Sequence, residues 1–176
     1  DIFNFKVNIK TIGTEIYFLN KSLQLEYIKS QISLSSIFKN KLVSSNIEIE
    51  TNSILLKDLI KFARVMNNNP KLFILEKIIK NGFVKTNLKI NFDKNGKIKN
   101  NYKIKGTLKD GSLRPYNKNN FKDINFKFDI EDNNFFLQEI KFSTEKINFF
   151  SNSIKISKKQ NKYLFNGMIE NQNSVL

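Results

Sequence analysis

The chain has 176 residues, a formal net charge of +14, and no Cys, His or Trp. Without Cys and His there is no disulfide, thiol nucleophile, Cys/His zinc site, Ser-His-Asp triad or imidazole proton shuttle. The 16 Asp and Glu leave a two-carboxylate hydrolase open on composition alone, but the acids are scattered. Glu48/Glu50 and Glu131/Asp132 read as solvated surface positions.

In chain order, the first signal is alternation. Phe3, Phe5, Val7 and Ile9 occupy every second position, followed by Leu23, Leu25 and Tyr27, then Ile32 and Leu34, then Ile47 and Ile49. A period of two places successive side chains on opposite faces of a strand, so residues 1–52 are predicted to be β-strands with one apolar side each. β-Branched Ile and aromatic Phe suit such a pleated surface.

Residues 53–80 break the pattern. Leu55, Leu59, Phe62, Ala63 and Met66 share a helical face, and Ser53 reads as the N-cap. Asn67-Asn68-Asn69-Pro70 ends that helix and begins another, which carries Leu72, Leu75, Ile78 and Ile79 and stops at Asn81-Gly82. The reading is a helical hairpin inserted in a sheet. Its apolar face packs on that sheet, with a partner-binding or membrane-resting helix as the alternative.

From 81 to 176 the alternation returns. Val84, Thr86, Leu88, Ile90 and Phe92 interleave with Lys85, Asn87, Lys89 and Asn91. Ile98, Tyr102, Ile104 and Leu108 follow. Then come Ile124, Phe126, Phe128 and Ile130, and after them Phe136, Gln138, Ile140 and Phe142. Ile154 and Ile156 pair with Tyr163, Phe165 and Ile169. Asp93-Lys94-Asn95-Gly96 and Asp110-Gly111 carry hairpin signals. Glu131-Asp132-Asn133-Asn134 and residues 157–162 are polar connectors. Connectors this short favour an antiparallel meander. Tyr102–Asp110 and Tyr163–Asn171 share the pattern Tyr, x, apolar, x, Gly, x, apolar, x, Asp or Asn, a faint internal repeat.

The positive charge is nearly all Lys, spread along the chain and alternating with apolar residues, as outward strand positions are. No Arg–aromatic cluster or RNP-like motif supports sequence-directed nucleic-acid binding, and attraction to anionic lipid surfaces is the better reading. The chain begins at Asp1 without Met. It has no leader-like segment and no apolar run of about 18 residues, and it reads as an excerpt of a longer protein.

So many one-sided strands pose a problem of cover, because exposed apolar patches above a few hundred Å² are rare. A sandwich, a closed barrel or a lipid-filled trough would each solve it, and alternation does not choose among them.

Several stretches resemble the AsmA-like (TamB/YhdP-type) family of Gram-negative envelope proteins. They are Ser45–Thr51 leading into Ile54–Leu59, Gly82–Leu88, Phe92–Ile98, Tyr102–Gly106 and Asn125–Phe128. The likeness covers most of residues 40–171 and rests on the order of elements; no catalytic signature is involved. It implies a mainly β fold: a curled antiparallel β-meander, an open groove or trough, with the hairpin inserted at about 53–80. It implies a non-enzymatic function, with no cofactor or metal. Phospholipid acyl chains would move along the groove between inner and outer membranes. The protein would be periplasmic and anchored in the inner membrane through segments absent here. The groove-lining candidates are Leu88, Ile90, Phe92, Ile98, Tyr102, Ile104, Phe126, Phe128, Ile130, Ile140 and Phe142. The alternative is a closed β-sandwich or barrel serving as a structural or adhesive module.

Overall fold

The computed structural model describes residues 5–18, 21–66, 70–99, 101–115, 120–132, 134–145, 147–159 and 162–172. The elements in chain order are β1 (Lys6–Ile12), β2 (Glu15–Phe18), β3 (Lys21–Ser33), α1 (Leu34–Lys39), β4 (Asn46–Thr51), β5 (Ile54–Leu55), α2 (Leu56–Met66) and α3 (Pro70–Ile78). They continue with β6 (Ile79–Asn91), β7 (Lys103–Leu113), β8 (Phe121–Glu131), β9 (Asn134–Ser143), β10 (Asn148–Lys159), β11 (Lys162–Gly167) and β12 (Glu170–Gln172).

The strands form one open sheet in the order β1-β3-β4-β6-β7-β8-β9-β10-β11. Every pairing is antiparallel, and the sheet does not close into a barrel. The remaining three strands continue others. β1 and β2 both pair with β3, on either side of Gly13 (φ 67°). β4 and β5 both pair with β6, separated by Asn52-Ser53. β11 and β12 both pair with β10. The sheet therefore has nine positions, three of them filled by interrupted strands. The predicted open meander is what forms.

Its core lies at one end of the strands. Val84, Leu108 and Ile124 are buried there, with Ile54, Leu56, Leu59, Leu113, Phe121, Phe126, Phe128 and Phe142 packed around them. α2 covers this end, burying Ile60 and Phe62. The apolar face of the first helix does pack on the sheet, but one residue later than expected. Leu55 belongs to β5 and is exposed, and the helix starts at Leu56, so Ser53 stands too far upstream to be its N-cap. Pro70 does open α3, where a missing N–H costs nothing. Residues 79–82 do not stop a helix; they begin β6. Asn67, Asn68 and Asn69 lie outside the described residues, as does Phe3.

At the other end of the strands, α1 was not foreseen, since Leu34 continues the alternation of Ile32. Its N-cap Ser33, with Ser36 and Ser45, is buried around one acceptor, the Val43 carbonyl. The three hydroxyls donate to it at 2.6, 2.8 and 3.1 Å. A buried hydroxyl needs such a partner, and this cluster ties α1 to the start of β4.

β-Bulges interrupt four neighbouring strands at that core end. Asp110 in β7, Asp123 in β8 and Glu139 in β9 all adopt φ 52°, and Gly82 in β6 has φ 140°. The register shifts beside each of them. Asp110-Gly111 is thus a mid-strand bulge, and the predicted hairpin turn there is wrong. Both features need a positive φ, which Asp and Gly supply. The Asp93–Gly96 turn is present, closed by the Asp93 amide donating to Lys97 O and by a single Phe92–Ile98 bridge. Glu131 pairs directly with Asn134, and Lys159 with Lys162, so the other two connectors are tighter than the sequence indicated.

Candidate functional site

The strand register resolves the sheet into two chemically distinct faces. One row crosses all nine positions: Thr11, Ile28, Ile49, Leu88, Ile104, Ile130, Phe135, Ile156 and Phe165. Eight of the nine are apolar. Residues facing each other across neighbouring strands lie about 4.8 Å apart, so this row spans roughly 40 Å. The seven between Thr11 and Phe165 are only half-buried, and Phe165 is exposed. Flanking the row on one side are Ile9, Ser30, Ile47 and Ile90. On the other side run Thr86, Gly106, Phe128, Leu137, Ile154 and Gly167.

The opposite face is a charge ladder. Lys85 bridges Glu26 and Glu50, the latter at 3.0 Å. Lys89 meets Glu48 at 3.6 Å, Lys103 meets Glu131 at 2.8 Å, Lys105 meets Asp129 at 3.2 Å, and Lys127 meets Glu139 at 2.6 Å. Exposed pairs of this kind each contribute little to stability, about 0–1 kcal/mol. Directly opposed unlike charges do favour one register over a slip of one residue, which would exchange the two faces.

Glu48 and Glu50 are not the solvated acids expected. β4 is an interior strand, and their side chains are 24% and 20% exposed. Asn87 donates to Glu48 at 2.7 Å and to Glu50 at 3.2 Å, and the Tyr27 hydroxyl donates to Glu48 at 2.9 Å. The nearby Tyr27 hydroxyl and the Lys85 ammonium hold Glu50 down at about 2. The amide of Asn87 lowers Glu48, and the two carboxylates raise the Tyr27 phenol above its ordinary value. This arrangement keeps both acids ionised, whereas a general acid needs its pKa raised. A recess of about 570 Å³ beside them is lined by Tyr27, Glu48, Glu50, Asn87, Lys89, Lys103 and Lys105. Among the described residues no cluster of three or more acids could hold a metal ion, and no helix is long and apolar enough to cross a membrane.

The predicted lining residues divide by position. Leu88, Ile104 and Ile130 stand in the central row, with Ile90 and Phe128 in the flanking rows. Phe92 lies on the same face and pairs with Ile98, which is 60% exposed and held by that one bridge. Tyr102 precedes β7 and is exposed. Phe126 packs into the core end beneath α2. Phe142 does too, 6.0 Å from the ring of Phe121 and stacked at 4.8 Å on Phe149. Ile140 is buried opposite Ser151.

In β9 the bulge at Glu139 changes which positions face the row. Before it, Phe135 and Leu137 lie on the apolar face, while Phe136 and Gln138 pair into the polar one, opposite Asp129 and Lys127. The bulge at Glu26 does the same in β3, placing Tyr27 among the acids and Ile28 in the row. Ile28, Phe135 and Leu137 were therefore missed as lining residues; Ile49, Ile156 and Phe165 were missed as well, although the alternation of Ile47 with Ile49, of Ile154 with Ile156 and of Tyr163 with Phe165 already signalled them.

No family model, curated protein or solved structure matches the chain.

Proposed function

We propose that the open apolar face is a lipid-carrying groove, and that the chain is a segment of an AsmA-like envelope protein. In this reading it passes phospholipid between membranes held by other parts of the protein. The supporting observation is the uninterrupted apolar row from Ile28 to Phe165, half-buried as far as Ile156 and exposed at Phe165, with α2 covering the sheet only toward the Val84–Leu108 end of the strands. An acyl chain reaches about 15 Å, half the hydrocarbon core of a bilayer, so a row of roughly 40 Å accommodates two in file. Half-exposed Ile, Leu and Phe offer dispersion contacts without chemical selectivity, which suits cargo that slides. Lipid headgroups would remain outside the row.

The closed sandwich or barrel would need a second apolar layer over Ile104 and Ile130, whereas the sheet is single and open. A photo-crosslinker at Ile130, compared with one at Glu131 on the polar face, tests the groove, alongside native mass spectrometry of the gently purified chain. Lipid adducts from Ile130 and not from Glu131 are expected. Absence of both adducts and co-purified phospholipid would sink the reading.

A further inference from the structure

The two helices of the hairpin differ in what they cover. α2 buries Ile60 and Phe62, whereas α3 buries none of its residues. Phe73, Ile74 and Leu75 of α3 are 46%, 49% and 40% exposed. With Leu72 they form four consecutive apolar residues, and at 100° per residue such a run spreads around the helix. A partner protein's groove reads a stripe of anchors at i, i+3, i+4 and i+7; in α3 Glu76 interrupts that stripe after Leu72 and Leu75, and the exposed apolar residues Phe73, Ile74 and Leu75 are consecutive instead. A fluid apolar medium imposes no register of that kind.

The surrounding charge indicates which medium. Residues 56–80 hold six basic side chains (Lys57, Lys61, Arg64, Lys71, Lys77, Lys80) against two acids (Asp58, Glu76), a surplus of +4. Both acids are neutralised within the hairpin, Asp58 by Lys61 at 3.1 Å and Glu76 by Arg64. Two of the cations border the apolar run itself: Arg64 lies 5.0 Å and the Lys77 ammonium 5.4 Å from the centre of the Phe73 ring. The Lys80 ammonium folds back to the Lys77 carbonyl at 3.0 Å. An apolar knob ringed by long basic side chains matches the boundary between acyl chains and anionic headgroups.

We infer that α3 docks the chain on the surface of a bilayer containing anionic phospholipid. This goes beyond the groove reading and does not require the groove to carry lipid.

Flotation of the whole 176-residue chain with vesicles tests it, using phosphatidylcholine alone and phosphatidylcholine mixed with phosphatidylglycerol. Binding to the mixed vesicles is expected, weakening as salt screens the headgroups. Ile74→Ser should lower it about tenfold, the loss of one apolar insertion, and since Ile74 is 49% exposed and lies outside the core the fold should persist. Lys77→Gln with Lys80→Gln should lower it on the mixed vesicles only. Ile37→Ser, a comparably exposed residue on α1 and outside the apolar row, should leave it unchanged. Equal binding by Ile74→Ser and wild type overturns the inference. So does no vesicle binding by wild type, or self-association that Ile74→Ser abolishes, which would assign the face to a second copy. Crosslinks from Ile130 that persist in Ile74→Ser separate this result from the fate of the groove.

Discussion

Gly106 faces Phe128 across the β7–β8 pair, and the Phe128 ring occupies the space that any side chain at 106 would need. A methyl there would overlap both that ring and the Lys85 carbonyl oxygen. The backbone oxygen cannot move without disturbing the β6–β7 ladder. Gly106→Ala should destabilise the chain by about 1–3 kcal/mol, measurable as a lower urea midpoint. Gly167 stands in the same row, crowded by Ile154 and the Ser153 carbonyl. The faint repeat in the sequence is therefore in step with the sheet, since Gly106 and Gly167 share one row and Ile104 and Phe165 share the next.

The Glu50 carboxyl carries a prediction about acid. Its folded pKa of about 2 lies below the ordinary 4.5. The unfolded chain thus takes up this proton first as pH falls. The stabilisation is complete above pH 4.5 and is lost progressively down to about 2. Urea midpoints should fall over that window, and Glu50→Gln should flatten the fall while lowering the neutral-pH midpoint. An unchanged pH profile in Glu50→Gln would remove Glu50 from the account.

Truncations in the covered and open regions should differ. Leu25 is fully buried, and Leu25→Ala should cost about 2–5 kcal/mol. Ile130→Ala, in the half-exposed row, should cost only about 1 kcal/mol, since less surface leaves water there on folding. Equal losses would mean that something covers the row in solution.

How far the sequence could be read depended on whether a strand ran unbroken. Val84 to Phe92 alternates cleanly, and the structure keeps every one of those residues on the face its parity indicates. In β3 and β9 the parity slips at Glu26 and Glu139. Glu has no particular liking for a bulge, so nothing in the sequence marks either slip. Asp110-Gly111 does carry a mark, but the same positive-φ chemistry serves a hairpin and a bulge, and only the partner strand decides between them. α1 was hidden because Leu34 fits the alternation before it, and its anchoring by three serines to one carbonyl is a tertiary contact. The pairing of Tyr27 and Asn87 with Glu48 and Glu50 brings together residues up to 60 positions apart, which no local pattern reveals.

The bulges at Gly82, Asp110, Asp123 and Glu139 act as a seam. The buried residues Val84, Leu108 and Ile124 lie within two positions of that seam, and the open row crosses the same strands four or more positions further on, where side chains depend less on their neighbours for their place. Substitutions in the row can therefore change the size and shape of the apolar surface while folding is left to the buried region beside the seam. A lineage could retune what the surface accommodates through single changes at Ile104, Ile130 or Phe135, each of them tolerated on its own.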